Sequence, residues 1–312
     1  MRLDGIHHIS AITADARQNV EFYVGTLGLR MVKKTVNQDD PSVYHLFYGD
    51  EHGSPGMDLT FFEYPGSTRG RAGAGMVHTI CWRVRGVDSI DFWERRLAGE
   101  GFEVQRSGDR LRFADPEGLR HELNVYDGAD AVLSAVAPDV PAEHALAGFD
   151  GVRAYADDLA RSDSFFGELL GFDVDTGAGE WRVGGETRSS FFVQDPAPEQ
   201  YPIQGAGVVH HVAFTVADEE IAPWQQRLRA GGAHATRVID RFYFESVYFH
   251  EPSGVLFELA TKSPGFAVDE PESELGQSLS LPPKFERLRG ELAGVLVPLP
   301  DPRSSRSGHP QA

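Results

Sequence analysis

Cysteine is almost absent from this chain of 312 residues, Cys81 being the only one. No internal disulfide can form, and a zinc site built on several thiolates is excluded. No apolar run is long enough to span a bilayer. The opening residues, "MRLDGIHHIS", lead straight into a strand-like run without the apolar core of a signal peptide. A cytoplasmic location is the expectation. Positive charge is scarce too: 29 Lys and Arg stand against 47 Asp and Glu, a formal net charge of −18. Such a surface repels nucleic acid and anionic lipid, so neither is expected as a partner. Lysine is rarest, appearing only at 33, 34, 262 and 284.

What the chain does have is repetition. "NVEFYVGTLGLRMV" (19–32) and "SDSFFGELLGFDV" (162–174) each read as a helix with an aromatic face, closed by a glycine suited to a left-handed C-cap. "ADPEGLRHELNVY" (114–126) and "HEPSGVLFELAT" (250–261) each set an acid-Pro-x-Gly turn before a strand, with "HGSPGMDLTFF" (52–62) as a looser copy. Four units of about fifty residues emerge, at 5–65, 75–127, 147–196 and 207–261, each reading strand, helix, then further strands. They pair along the chain as 1–135 and 136–262, with 127–146 as the link. A tail, 263–312, is expected to carry one helix over 281–296 and a disordered end rich in Pro, Ser and Arg.

The opening strands of the first and fourth units carry His-His pairs, "GIHHISAI" (5–12) and "GVVHHVAFTV" (207–216). Neighbouring side chains on a strand face opposite ways, so the members of a pair meet different surroundings. Four residues beyond the turn glycine, unit four places Glu258 between Phe257 and Leu259 in an otherwise apolar strand, whereas unit one has Thr60 and unit two Glu122. A buried carboxylate without a partner costs several kcal/mol and calls for a cation or strong donors. Two histidines and one carboxylate at equivalent places of repeated units suit a divalent metal, in the trio that leaves coordination positions open on non-haem Fe(II). His45, His52, His121 and His250 read as surface residues. His78 and Glu122 read as remnants without a partner histidine in unit three, and no metal is expected there.

On the runs "GIHHIS", "LGLRMVKKTVNQDDPSVYHLFYGDEHGSPG", "VVHHVAF", "YFESVYFHEPSGVLFELAT" and "LPPKFERLRGEL", the chain resembles the vicinal oxygen chelate superfamily along nearly its whole length. Within it, the ring-cleaving dioxygenase branch, including hydroquinone 1,2-dioxygenases, is the most similar. The resemblance implies an α+β fold of four βαβββ modules curling into two cup-shaped sheets around one metal. It implies His8, His211 and Glu258 as metal ligands, for Fe(II) or alternatively Mn(II). His7, His210, Arg241 and Tyr248 would lie beside the substrate as catalytic groups, with Ser10 as a small hydroxyl contact. A twist or bulge would be needed to bring His7 and His210 there. The implied partners are a small aromatic diol and O2, with self-association left open. One ion held by units one and four requires those units to be neighbours, leaving units two and three to form a cup without metal. Two other readings carry weight: a glyoxalase-type lyase, disfavoured because Thr60 replaces its second carboxylate, and a resistance-type binding protein without chemistry.

Overall fold

The computed structural model describes residues 1–174, 179–185 and 187–300. The tail end expected to be disordered, 301–312, lies outside the described residues. Among the described residues, sixteen strands fall in four sets of four. The first set is β1 (Ile6–Thr13), β2 (Arg30–Val36), β3 (Tyr44–Gly49) and β4 (Asp58–Glu63). The second is β5 (Met76–Val84), β6 (Gln105–Ser107), β7 (Arg110–Ala114) and β8 (Arg120–Val125). Then come β9 (Phe149–Ala156), β10 (Asp173–Val174), β11 (Glu180–Gly184) and β12 (Ser189–Pro196). The last is β13 (Val209–Thr215), β14 (Ile239–Asp240), β15 (Glu245–His250) and β16 (Leu256–Ala260). A helical segment follows the first strand of every set.

The strands form two curved eight-stranded sheets, ordered β14-β15-β16-β13-β1-β4-β3-β2 and β10-β11-β12-β9-β5-β8-β7-β6. The first and fourth sets therefore share a sheet through the antiparallel β1–β13 pair, and the second and third share the other through β5–β9. The turn glycines explain how each set folds back: Gly118 and Gly254 take φ of 94° and 110°, a region closed to most side chains. Both repeated helices end at a glycine in the left-handed region, Gly28 at φ 73° and Gly171 at φ 75°. Their last turns, Glu21–Thr26 and Phe165–Leu170, are wide π turns rather than the α turns expected. Leu27 N donates to Phe22 O across five residues, and Phe22 and Tyr23 both point inward and are buried. Burying each aromatic contributes roughly 2–3 kcal/mol.

His121 corrects the reading that placed it on the surface: it is fully buried between the sheets. Trp82 Nε1 donates to its Nδ1 at 3.1 Å, so in the neutral ring Nε2–H donates to the Tyr23 hydroxyl, 3.1 Å away, which donates to Asp115. Burial lowers the His121 pKa to about 3 and keeps it neutral. No helix among the described residues is long and apolar enough to cross a membrane.

In the second cup the β5–β9 register sets Cys81 opposite Gly151, where the β1–β13 register sets Ser10 opposite His211. A side chain at Gly151 would meet Phe191 within 2.5 Å, so no ligand fits where His211 stands in the other cup. Glu122 is buried and accepts from Arg112 Nε at 2.5 Å, and His78 Nε2 lies 2.9 Å from Asp195. Glu122→Ala should leave the metal content of the protein unchanged while lowering its melting temperature, because Arg112 loses its partner. Elemental analysis and a thermal melt on the same sample check both halves.

Candidate metal centre

The β1–β13 register brings the two His-His pairs together across the centre of one sheet. The parallel β13–β16 pair sets Ala213 beside Glu258. His8 Nε2 lies 3.2 Å from His211 Nε2 and 3.2 Å from Glu258 Oε2, and His211 Nε2 lies 2.9 Å from that same oxygen. All three residues are buried, Glu258 completely. Glu258 Oε1 accepts from the Ser246 hydroxyl. Oε2, despite its two close nitrogens, receives no aligned hydrogen bond. Burial pushes the Glu258 carboxyl up, but positive charge at the His8 and His211 nitrogens outweighs it and holds the group well below the usual carboxylate range.

Three lone-pair atoms facing one point, with one oxygen left without an aligned donor, is the arrangement a cation completes. Ligands about 2.1 Å from an ion and at right angles to one another lie about 3 Å apart, which the three measured separations match. These residues fit a divalent metal, and His8, His211 and Glu258 would hold it.

The neighbouring histidines explain why the ligand nitrogens are bare. His7 Nε2 lies 3.0 Å from the Thr261 carbonyl oxygen, an acceptor only, so His7 must donate there. Burial lowers the His7 pKa to about 3, so the ring is neutral and its Nδ1 accepts from His8 Nδ1, 3.0 Å away. His8 Nε2 is then left with its lone pair. Across the site, His210 Nδ1 and His211 Nδ1 lie 2.8 Å apart in the same relation. Burial is the main cause that lowers the His210 pKa to about 4.

Above the trio opens a cavity of about 130 Å³, lined among others by His8, Ser10, His45, Phe47, Phe62, His210, Arg241 and Tyr248. An apolar cavity of about 150 Å³ takes one benzene ring, so this space suits a single aromatic ring. Of the residues expected beside a substrate, Ser10, His210, Arg241 and Tyr248 reach this wall. His7 does not. The strand is irregular between Ile6 and His8, and the His7 ring lies behind His8 against the Thr261 carbonyl. Its placement corrects the expectation of a substrate contact: the bulge turns His7 onto the far side of the ligand. Arg241 Nε donates to the Tyr248 hydroxyl at 3.3 Å, and its Nη1 lies 3.2 Å from Asp39 at the exposed rim. Burial pushes the Tyr248 phenol up, so it remains a donor.

Two residues escaped the sequence reading. His45, read as a surface residue, lines the cavity instead, between the rings of Phe47 and Phe62 at 4.0 and 4.2 Å. His52 and His250 are exposed, as expected. Asp58, in register with His8, is fully buried and neither of its oxygens has a hydrogen-bond partner. Burial raises its pKa well above the usual value, so the acid stays protonated. A raised folded-state pKa gives stability that is whole below the unfolded value, about 4, and declines as pH rises toward the folded one. Asp58→Asn should therefore melt above the parent, by a margin that widens as pH rises above about 4. A margin independent of pH in metal-free melts would contradict a neutral Asp58.

A sequence model of the family described as Glyoxalase/Bleomycin resistance protein/Dioxygenase superfamily matches residues 5–123 and 148–259. The chain belongs to this superfamily. It is 37% identical over 321 residues to "Putative ring-cleaving dioxygenase MhqA" of Bacillus subtilis (strain 168), covering 96% of this chain and 100% of that protein. It is 32% identical to "Chlorohydroquinone/hydroquinone 1,2-dioxygenase" of Sphingobium indicum, over 93% of this chain and 95% of the other. A crystal structure of a "putative dioxygenase" from B. subtilis superposes with a TM-score of 0.89 at 34% identity, over 96% of this chain and 98% of that one. Glyoxalase I of Zea mays shares the fold alone, at a TM-score of 0.56 and 15% identity, over 83% of this chain and 92% of that one.

Proposed function

We propose that this chain is a ring-cleaving dioxygenase that opens a hydroquinone or catechol ring with both atoms of O2, using Fe(II) held by His8, His211 and Glu258. One observation carries this reading: His8 and His211, grouped with the buried Glu258 carboxylate, line a cavity sized for one aromatic ring. Full-length likeness to proteins named ring-cleaving dioxygenases supports it from a separate direction. Fe(II) would supply the electron path between ring and O2 that their direct reaction lacks, and three ligands on one face leave room for both.

The residues of the chain do the rest. His210, exposed at the cavity and with its pKa lowered, is neutral and can take a proton from a ring hydroxyl at its free nitrogen and return it later. Arg241, fixed by Tyr248 and Asp39, presents a positive charge where negative charge develops on ring oxygens. Phe47 and Phe62 bound the ring's space and keep water from it. Thr60 occupies the place of a second carboxylate, which counts against the four-ligand lyase reading. Hydroquinones are favoured over catechols by the presence of both His210 and Arg241 in the cavity lining and by the likeness to the S. indicum enzyme.

Protein loaded anaerobically with Fe(II), and in parallel with Mn(II), should consume O2 with a substituted hydroquinone or catechol and yield a coloured, ring-opened product. The proposal fails if no diol supports O2 uptake while Zn(II) or Ni(II) supports isomerisation of a hemithioacetal.

A further inference from the structure

A chain of hydrogen bonds runs along the cavity wall. His45 Nε2 lies 2.9 Å from Thr60 Oγ1, which lies 2.7 Å from Ser10 Oγ. Thr60 is fully buried, and Ser10, nearly so, stands opposite His211 in the β1–β13 register. No other hydrogen bond reaches either hydroxyl among the described residues. The imidazole packs between the rings of Phe47 and Phe62, which favours the orientation facing Thr60. Burial holds the His45 pKa well below its usual value, so the ring is neutral with a single N–H.

Each member then has one proton to donate; if Thr60 accepted from both neighbours its own buried proton would be left unpaired, so two arrangements satisfy the chain fully. In one, His45 Nε2–H donates to Thr60 and Thr60 to Ser10, leaving the Ser10 hydroxyl proton free for the cavity. In the other, every bond reverses and Ser10 offers the cavity only lone pairs. A ring oxygen that has lost its proton can be met only by the first. We propose that His45 is a positioning residue: through Thr60 it lets the Ser10 hydroxyl act as a donor to the cavity and so strengthens binding of the ionised form of a phenolic ligand. The inference rests on the reading that a phenolic ring occupies this cavity, and it adds a residue outside the ligand trio and its neighbours.

The test uses 4-nitrophenol, whose anion has its own absorbance, titrated anaerobically into Zn(II)-loaded protein across pH. The parent protein should bind the anion. His45→Phe and Thr60→Val should weaken that binding about tenfold or more, the scale of one hydrogen bond to a charged group, and raise the apparent pKa of the bound phenol. Metal content should stay unchanged in both. His45→Gln keeps an N–H for Thr60 and should restore most of the affinity, which a merely structural role for the imidazole would not predict. Anion binding by His45→Phe and Thr60→Val equal to the parent's overturns the inference while leaving the proposed function standing. Equal loss in His45→Gln and His45→Phe also overturns it, since the ring itself would then be the contact. If the parent binds no phenol at all, the proposed function falls and the inference falls with it.

Discussion

Replacing Glu258 with alanine is expected to strip the protein of its metal and abolish ring cleavage, as is either His8→Ala or His211→Ala. Loss of a residue that merely supports a ligand costs about 10–100-fold in metal affinity, and removing a ligand itself should cost more. His7→Ala supplies the smaller effect on the same scale, because only the Thr261–His7–His8 hydrogen bonds are lost. Stability gives a readout independent of catalysis. In the metal-free chain Glu258 Oε2 is buried without an aligned donor, and an ion bound only to the folded state adds stability by mass action. A chelator should therefore lower the melting temperature of the parent protein and leave that of Glu258→Ala unmoved. Iron per chain, measured after gel filtration, that is equal in the parent and all three ligand variants would sink the assignment.

The trio could be read in the sequence because its residues stand at equivalent places of repeated modules. His8 and His211 open equivalent strands of repeated modules, and Glu258 follows a turn whose Gly254 fixes the count. What went unread depends on contacts that no local pattern encodes. His45 resembles any polar residue of a short strand until β3 pairs with β4 and sets His45 opposite Phe62 and Phe47 opposite Thr60. His121 becomes a core residue only because Trp82 from β5 and Tyr23 from a different module converge on its two nitrogens. For His7 the alternation rule failed, since its ring bonds that of its neighbour His8. A local irregularity of β1 decides which side of the ligand its ring occupies, and no residue type announces it. The π turns are the same case: the aromatic spacing marks a helix, while its width is set by the packing of Phe22 and Tyr23.

Lys33→Met is expected to cost about 3–5 kcal/mol, the penalty for leaving a buried charge without its partner. Three of the four lysines tie the tail to the body: Lys33 to Asp269 and Glu270, Lys34 to the Gln277 carbonyl, and Lys284 to Gln38. Of these Lys33 matters most, because it is fully buried, with Nζ 2.7 Å from Asp269 and 2.5 Å from Glu270. Asp269 also accepts from the Tyr243 hydroxyl, and Tyr243 and Phe244 line the cavity. Without the ammonium, two largely buried carboxylates face each other across that wall, and the tail is driven off it. At roughly 2–4 °C per kcal/mol for a chain of this size, the melting temperature should fall by about 10 °C, with faster proteolysis inside 263–300. KM for the diol should rise more than kcat falls, since the trio itself is untouched. Adding Asp269→Asn and Glu270→Gln removes the stranded charges and should recover part of the loss. A melting temperature within about 2 °C of the parent, an effect no larger than that of an ordinary surface pair, would show that the tail is held by its apolar contacts through Phe266 and Leu275 and not by the buried lysine.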